Sequence, residues 1–468
     1  MMKSILIAAA VTAFSAAGIA AADTETSTDN LSVRIPILDR AVFYDGYQSE
    51  VYDADKEDGI LRHSNSLYAV RLTDEQLDMI GSQVGLEVTI GALCDDFDRI
   101  GATNIALVPK GSKDYKFADV ERIEIARFIT PFMNKNRMPN EVPFNYVLPD
   151  LELVLRDKAL REKYDFWFEF DIFGVPYDAN KNVTGCRGRN DVFEGSATLV
   201  TTPQKEGSSD GHILIPVYTR RQEQHGNVNF NNYKENATDT IGVTTRTFEI
   251  NLPKDVEDSK VTFILTNHGA AKGGEEYIRR LHLVYFDGDV KMAYTPGGVS
   301  CEPYRQYNTM PNSIYQTTAQ PEEYWETISN WCPGQAVPVR EIHTGALKAG
   351  IHKFMIRVPD AEFVGEDGDF RPSIYFQGLE NGLLAAGVTD IVAEEKADIS
   401  FSLDDRTLRI DGADIVASLA VYTPDGQLVY GKNYPGHSLI LPDLGSGMHI
   451  FVASTPEGRT TFDKIILH

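Results

Sequence analysis

The sequence predicts an all-β protein built from antiparallel sandwiches, and three observations carry that prediction. Short runs alternate apolar and polar residues, as in Ser32 to Leu38 and in Ile123 to Ile129, which stops at Pro131. Phe166-Trp167-Phe168-Glu169-Phe170-Asp171-Ile172 puts Phe166, Phe168, Phe170 and Ile172 on one face of a strand. The runs are punctuated by Gly, Pro, Asn and Asp, the pattern of many short strands joined by turns. Helical signals are few: Thr73 to Met79, and Pro321 to Ile328 with Pro in the first turn and two Glu behind it.

The 468 residues suggest two to four domains at about 150 residues each. Apolar residues make up 42%, enough for an ordinary core. A formal net charge of -24 argues against a nucleic-acid backbone or an anionic membrane as the main partner.

In chain order, residues 1–22 read as a secretory signal peptide. Lys3 gives the positive start, Ile5 to Ala17 the apolar run, and Ala20-Ala21-Ala22 the cleavage site before Asp23. Residues 23–30 read as a flexible tail. No Cys lies beside the cleavage site, so no lipid anchor is expected, and no later stretch is long enough to span a bilayer. The first domain is expected over residues 31–205, with Leu151 to Leu155 among its strands. Its end is the polar break Pro203 to Gly211. The second is expected over 206–390, with strands at Ile213 to Tyr218, Thr247 to Leu252, Val261 to Thr266, Leu281 to Phe286, Val337 to Ile342 and Phe354 to Val358. A long irregular stretch, Tyr294 to Trp331, interrupts it, and loops of that length are often functional. Beyond Glu394-Glu395-Lys396, residues 391–468 hold about seven strands and read as a small β-sandwich without an acid–base cluster.

Two polar clusters stand out. Cys94-Asp95-Asp96-Phe97-Asp98-Arg99 lies between two strand-like runs. A rigid scaffold presenting polar residues on a loop is how sites are commonly built; an acidic surface turn is the plainer alternative. Far along the chain come Glu275, Glu276, Tyr277, Arg280 and His282, after the small-residue stretch Thr266 to Gly274 that contains His268. If the run from Glu276 onward is a strand, Glu276, Ile278, Arg280, His282 and Val284 share a face; a solvent-facing strand with an exposed ion pair is the alternative. Two carboxylates on neighbouring elements suit acid–base hydrolysis of a glycosidic bond or an amide. The four cysteines, Cys94, Cys186, Cys301 and Cys332, allow three pairings. With no CxxC, no HExxH and scattered histidines, no metal site is expected.

At these residues the chain resembles the peptide:N-glycosidase F family. Four matches occur in order: Cys94 to Arg99, Glu124-Ile125-Ala126-Arg127-Phe128-Ile129-Thr130-Pro131-Phe132, the His268 to His282 stretch, and Trp331-Cys332-Pro333-Gly334-Gln335-Ala336-Val337-Pro338. The resemblance, over roughly residues 30 to 385, implies two adjacent eight-stranded jelly rolls. It also implies a secreted glycoamidase that cleaves the amide joining an N-linked glycan to asparagine, leaving aspartate and a glycosylamine. No metal or organic cofactor is implied, and the partner is an N-linked glycoprotein or glycopeptide acted on by a monomer. Asp98 resembles the family's principal catalytic carboxylate and Glu276 its second. Counting back from Phe170-Asp171-Ile172 puts the third at Asp157, one methylene shorter than the family's Glu. Arg99, Tyr277 and Arg280 are expected to hold the sugar core or an oxyanion, with Asp95, Phe97, His268 and Trp331 completing the substrate-binding set. Phe97 and Tyr277 stand where the family has Trp, and Ala159 where it has an aromatic. The resemblance pairs Cys301 with Cys332, leaving Cys94 and Cys186 as a hypothetical second pair. The C-terminal segment lies outside the match and resembles the β-rich tails of secreted Bacteroidetes proteins.

Three alternatives remain on sequence grounds. One is a glycan- or glycopeptide-binding protein of the same fold with a decayed site. Another is a twin jelly-roll copper monooxygenase, whose paired histidines and Met ligand are not seen here. The third is a glycoside hydrolase, which would leave the asparagine amide intact.

Overall fold

The computed structural model describes residues 31–48, 59–176, 178–203, 209–219, 244–269, 275–325, 330–361, 368–385, 399–404, 406–412, 415–424, 428–455 and 460–467. The expected signal peptide and tail lie outside these residues, as do most of the two expected domain boundaries.

The first sandwich contains β1 (Val33–Tyr44), β2 (Ile60–Ser64), β3 (Leu67–Arg71), β4 (Val84–Ala92), β5 (Ile100–Pro109), β6 (Glu121–Ile129), β7 (Glu141–Val147), β8 (Tyr164–Ile172) and β9 (Asp191–Thr201). They form two antiparallel sheets, ordered β1-β9-β4-β7 and β2-β3-β8-β5-β6. Phe166, Phe168, Phe170 and Ile172 face the core between them, as the alternation requires.

The second sandwich contains β10 (His212–Tyr218), β11 (Thr245–Leu252), β12 (Asp258–His268), β13 (His282–Phe286), β14 (Asp289–Tyr294), β15 (Arg340–His343), β16 (Gly350–Arg357) and β17 (Asp369–Leu379). Its sheets are β10-β17-β12-β15 and β11-β16-β13-β14. The third unit contains β18 (Ser400–Asp404), β19 (Thr407–Asp411), β20 (Ser418–Tyr422), β21 (Leu428–Asn433), β22 (Ser438–Ile440), β23 (Gly447–Ser454) and β24 (Thr460–Leu467). These form the sheets β18-β19-β22 and β21-β20-β23-β24 around their own core.

Helices are short, as expected. In α1 (Asp74–Asp78), Thr73 and Gln76 form a reciprocal capping box. Leu151 to Leu155, expected as a strand, is instead α2 (Leu151–Arg156), with Leu151, Val154 and Leu155 buried. Their i, i+3, i+4 spacing is helical, and a five-residue run is too short to show its period. α3 (Lys158–Lys163) follows and leads directly into β8.

Two expectations in the second sandwich are corrected. The run from Glu276 to Val284 is not one strand: Glu275–Tyr277 is a 3₁₀ turn and β13 starts only at His282. The strand expected at Val337 to Ile342 is confined to β15. Residues just before it are used elsewhere, in pairing with β6. That strand is the edge of the five-stranded sheet and needs a partner for its exposed backbone groups. Phe128 and Ala336 form an antiparallel bridge, Ile129 N donates to Gln335 O (3.0 Å), and Val337 N donates to Arg127 O (2.8 Å). The second sandwich thus completes the edge of the first.

Candidate active site

The acidic loop joins β4 to β5 and is tied down at both ends. Cys94 is bonded to Cys186, with Cα atoms 5.5 Å apart. Arg99 N donates to Thr130 Oγ1 (2.7 Å), and Thr130 Oγ1 donates in turn to Phe97 O (3.1 Å). Asp95 is fully enclosed and works as an internal anchor. Its carboxylate accepts from Arg99 Nε (2.7 Å) and Nη2 (3.3 Å), from Phe97 N (3.0 Å) and from Val175 N (2.7 Å). Arg99 is thereby held with its guanidinium 5.1 Å from the Phe97 ring centre. The Phe97 ring in turn lies 6.0 Å from that of Phe132.

The second carboxylate comes from the other sandwich. Glu276 N donates to Gly269 O (3.3 Å), and Gly269 N donates back to Glu276 Oε2 (3.2 Å). Gly269 has φ +115°, a conformation a side chain would strain, so the reciprocal pair depends on glycine. Asn330 Nδ2 donates to the carbonyls of Glu275 (2.8 Å) and Glu276 (2.6 Å). Trp331 Nε1 donates to Asn267 O at the end of β12 (3.1 Å). Glu275, fully buried, holds Arg280 through Nε (3.0 Å) and Nη2 (3.1 Å).

Asp98 and Glu276 come close enough across the junction for their charges to interact. Burial raises the Asp98 carboxyl well above the usual range, and the neighbouring Glu276 charge pushes it further, against the pull of Arg99. The Tyr277 phenol, 38% exposed, bonds to Glu276 and is also raised, by burial first and then by the charges of Glu276 and Asp98.

The other expected residues are placed as follows. Arg99 lies near enough to Asp98 to lower its carboxyl, Tyr277 bonds to Glu276, Phe97 lies against Arg99, and Arg280 is held by Glu275. His268 is buried, bonded to Thr266 Oγ1 (2.7 Å), with its ring 5.7 Å from Trp331. Both are packed behind Glu276. Asp157 is not brought to the cluster. It caps α3 by accepting from Leu160 N (2.8 Å), and its Oδ2 is 3.7 Å from His212 Nδ1. It enters β8 at the Tyr164 end, whereas Gly101, beside the acidic loop, pairs with Ile172 at the other end. Nine residues of strand separate the two ends, roughly 26 Å. Counting along a strand register fails here because α3 stands between Asp157 and β8.

The sequence assigned no role in the site to Glu275, Asn330, Thr130 or the buried Arg127. Arg127 grips Glu124 (2.7 and 2.9 Å) and reaches Thr266 Oγ1 (2.8 Å) and Arg371 O (2.7 Å) in the second sandwich. The available signal was Glu124 and Arg127, opposite charges three residues apart within one strand. Cys301 is bonded to Cys332 beneath the long irregular stretch, which packs Ile314, Tyr315 and Trp325 on that bond. Among the described residues, no group of three or more His, Cys, Asp or Glu side chains could hold a metal ion.

The four sequence matches now have a common meaning. Two carry the carboxylates, and the other two are the paired segments, β6 and residues 331–338, that hold those carboxylates in register. Comparisons with known proteins agree. Residues 34–187 match the family model for the N-terminal part of peptide-N-glycosidase F, and residues 232–375 match that for its C-terminal part. Among solved structures, PNGF-II is similar at 18% identity and a TM-score of 0.55, over 75% of this chain and 66% of that one, just under two thirds of its length. PNGase F, described as a glycosylasparaginase from Flavobacterium meningosepticum, aligns at 15% identity and a TM-score of 0.47, over 76% and 97%. No curated protein sequence matches. Matched through both of its halves, with their paired segments forming one junction, the chain belongs to the peptide-N-glycosidase F family.

Proposed function

We propose that this protein is a glycoamidase that hydrolyses the amide between an N-linked glycan and the asparagine side chain. The observation that carries the reading is the meeting of Asp98 and Glu276, from different sandwiches, with Tyr277 beside them. Asp98 orients a water and takes its proton as the water oxygen attacks the amide carbon. The resulting oxyanion is met by Arg99 or Arg280, each kept rigid by its own buried carboxylate. Collapse breaks the C–N bond, and the proton returns to the departing nitrogen. Aspartate stays in the peptide; the glycosylamine leaves and later loses ammonia to water. Glu276 acts on the sugar side, through water and the glycan. A raised Asp98 carboxyl is a stronger base once ionised, which suits it to this role. General acid–base help of this type is worth about 10² to 10⁴ in rate. Asp157, capping α3 at the far end of β8, has no part in this chemistry.

Two disulfides fit an oxidising compartment, so we also propose that the protein is secreted. No helix among the described residues is long and apolar enough to cross a membrane.

The test is mass spectrometry of a defined N-glycopeptide incubated in H₂¹⁸O. Loss of the whole glycan with ¹⁸O-labelled aspartate left behind, abolished by Asp98→Asn, is the expected result. An intact glycopeptide that still binds would replace the reading with a glycan-binding one. A trimmed glycan with its first sugar still on asparagine would replace it with a glycosidase.

A further inference from the structure

The family models end at residue 375, so the seven-stranded C-terminal unit has no assigned role. Its sequence holds an unused signal. Ile450-Phe451-Val452-Ala453 is apolar at every position, the pattern of a strand buried on both faces. In β23, Phe451 and Ala453 face the unit's own core, whereas Ile450 and Val452 face outward into a second cluster. β20 behaves alike: Leu419 and Val421 point inward, Ala420 and Tyr422 outward.

The outward face is covered by the second sandwich. Leu283 and Tyr285 of β13 and Val290 of β14 are buried in the same cluster as Tyr422, Ile450 and Val452. Val284 and Phe286, on the opposite face of β13, belong to the sandwich core. Asp289 of β14 bonds to Lys464 of β24 at the edge of this seam. β13 is therefore clamped between two cores.

β13 begins six residues after Glu276. Leu281, between them, is packed into the seam. Arg279 is held on the other side, donating from Nε to Pro296 O (2.8 Å) and from Nη2 to Gly297 O (3.2 Å). A cleft of about 520 Å³ beside the seam is lined by Arg279 and Leu281 on one side and by Ser418, Asn433 and Thr455 on the other, so the C-terminal unit forms a wall behind this segment.

We infer that the C-terminal unit is a brace for the catalytic junction: by clamping β13 it fixes the Glu275–Leu281 segment, and with it the placement of Glu276 against Asp98. Its kinetic consequence rests on the glycoamidase reading; its structural consequence does not.

The test uses the full chain carrying Val452→Asp, which puts a charge in the seam and leaves Phe451 in place. Hydrogen exchange followed by mass spectrometry should show faster exchange at residues 282–286 and also at 275–281, with β20 and β23 still protected. On a defined N-glycopeptide, kcat should fall about tenfold with KM changed less, because placement rather than binding is lost. Faster exchange at 282–286 with 275–281 unaffected, or an unchanged kcat in an undocked variant, would overturn the inference. If Val452→Asp does not fold, Lys464→Glu should loosen both segments and Lys464→Glu with Asp289→Lys should restore them; failure of the swap to restore counts against the brace. A wild-type protein without amidase activity would remove the proposed function, and the exchange result would still decide the brace.

Discussion

Arg127 of β6 donates from Nη1 to Thr266 Oγ1 of β12 at 2.8 Å, joining the two sandwiches two residues before the His268 that ends β12. The same guanidinium neutralises Glu124, which also accepts from Ser373 Oγ (2.5 Å). All of these groups are buried. Arg127→Met should destabilise the protein by about 3–5 kcal/mol, because it leaves the Glu124 charge uncompensated in the interior. Arg127→Met with Glu124→Leu should recover part of that loss. Urea unfolding of the two variants checks both statements.

Asp98 carries a stability cost that its position imposes. Its folded-state pKa lies above the unfolded value near 3.8, so the native state holds the proton more tightly. The unfolded chain then binds fewer protons as pH rises through that window, and native stability falls. Asp98→Asn should raise Tm at neutral pH, and the gain should vanish below about pH 4. A Tm series against pH for both proteins measures this. The activity of the native enzyme should show an acid limb displaced upward from an ordinary carboxylate's.

His282 works in the opposite direction. It is fully buried, and burial lowers its pKa from 6.5 to about 3, with Arg340 adding to the effect. A histidine buried neutral contributes stability that is complete above pH 6.5 and is lost as pH falls toward 3. The slope is about 1.4 kcal/mol per pH unit. His282→Gln should flatten the acid side of the stability curve, read by denaturant midpoints between pH 4 and 7.

The two disulfides close loops of different size, with sequence separations of 92 and 31. On chain entropy, loss of Cys94–Cys186 should cost about 5 kcal/mol and loss of Cys301–Cys332 about 4 kcal/mol. The second should matter more for activity than that ordering suggests, because Cys332 adjoins Trp331 and Asn330. Serine variants compared by Tm and by glycopeptide turnover separate the two effects.

Gly101 sits in β5 directly after Arg99 and Ile100. A Cβ there would fall 2.1 Å from Cε2 and Cζ of Phe128. That ring is buried and stacked 4.5 Å from Phe144, so it has little room to yield. Gly101→Ala should cost about 1–3 kcal/mol and displace the acidic loop, lowering kcat more than an equally destabilising change in β1. Paired stability and kinetic measurements check this.

Much of the fold was legible because its evidence is local. Phe166 to Ile172 alternates with period two and is a core strand; Thr73 with Gln76 is a capping box and starts a helix. Where the local signal was ambiguous, tertiary context overrode it. Leu151 to Leu155 is short enough to read as either element, and the residues before β15 left their expected strand to satisfy the open edge of β6. Counting back from Phe170 to Asp157 met the same difficulty, because the helix α3 stands between Asp157 and β8.

By itself the sequence determined the class of structure, the order of its parts and the two carboxylate segments, because hydrophobic period and residue chemistry are written along the chain. Only the tertiary structure decided which carboxylates meet. Asp98 and Glu276 are 178 residues apart in the sequence. Their approach depends on the β6 pairing with residues 334–337, on the buried Arg127 and on the clamped β13. These are contacts between surfaces, and a surface exists only after each sandwich has folded.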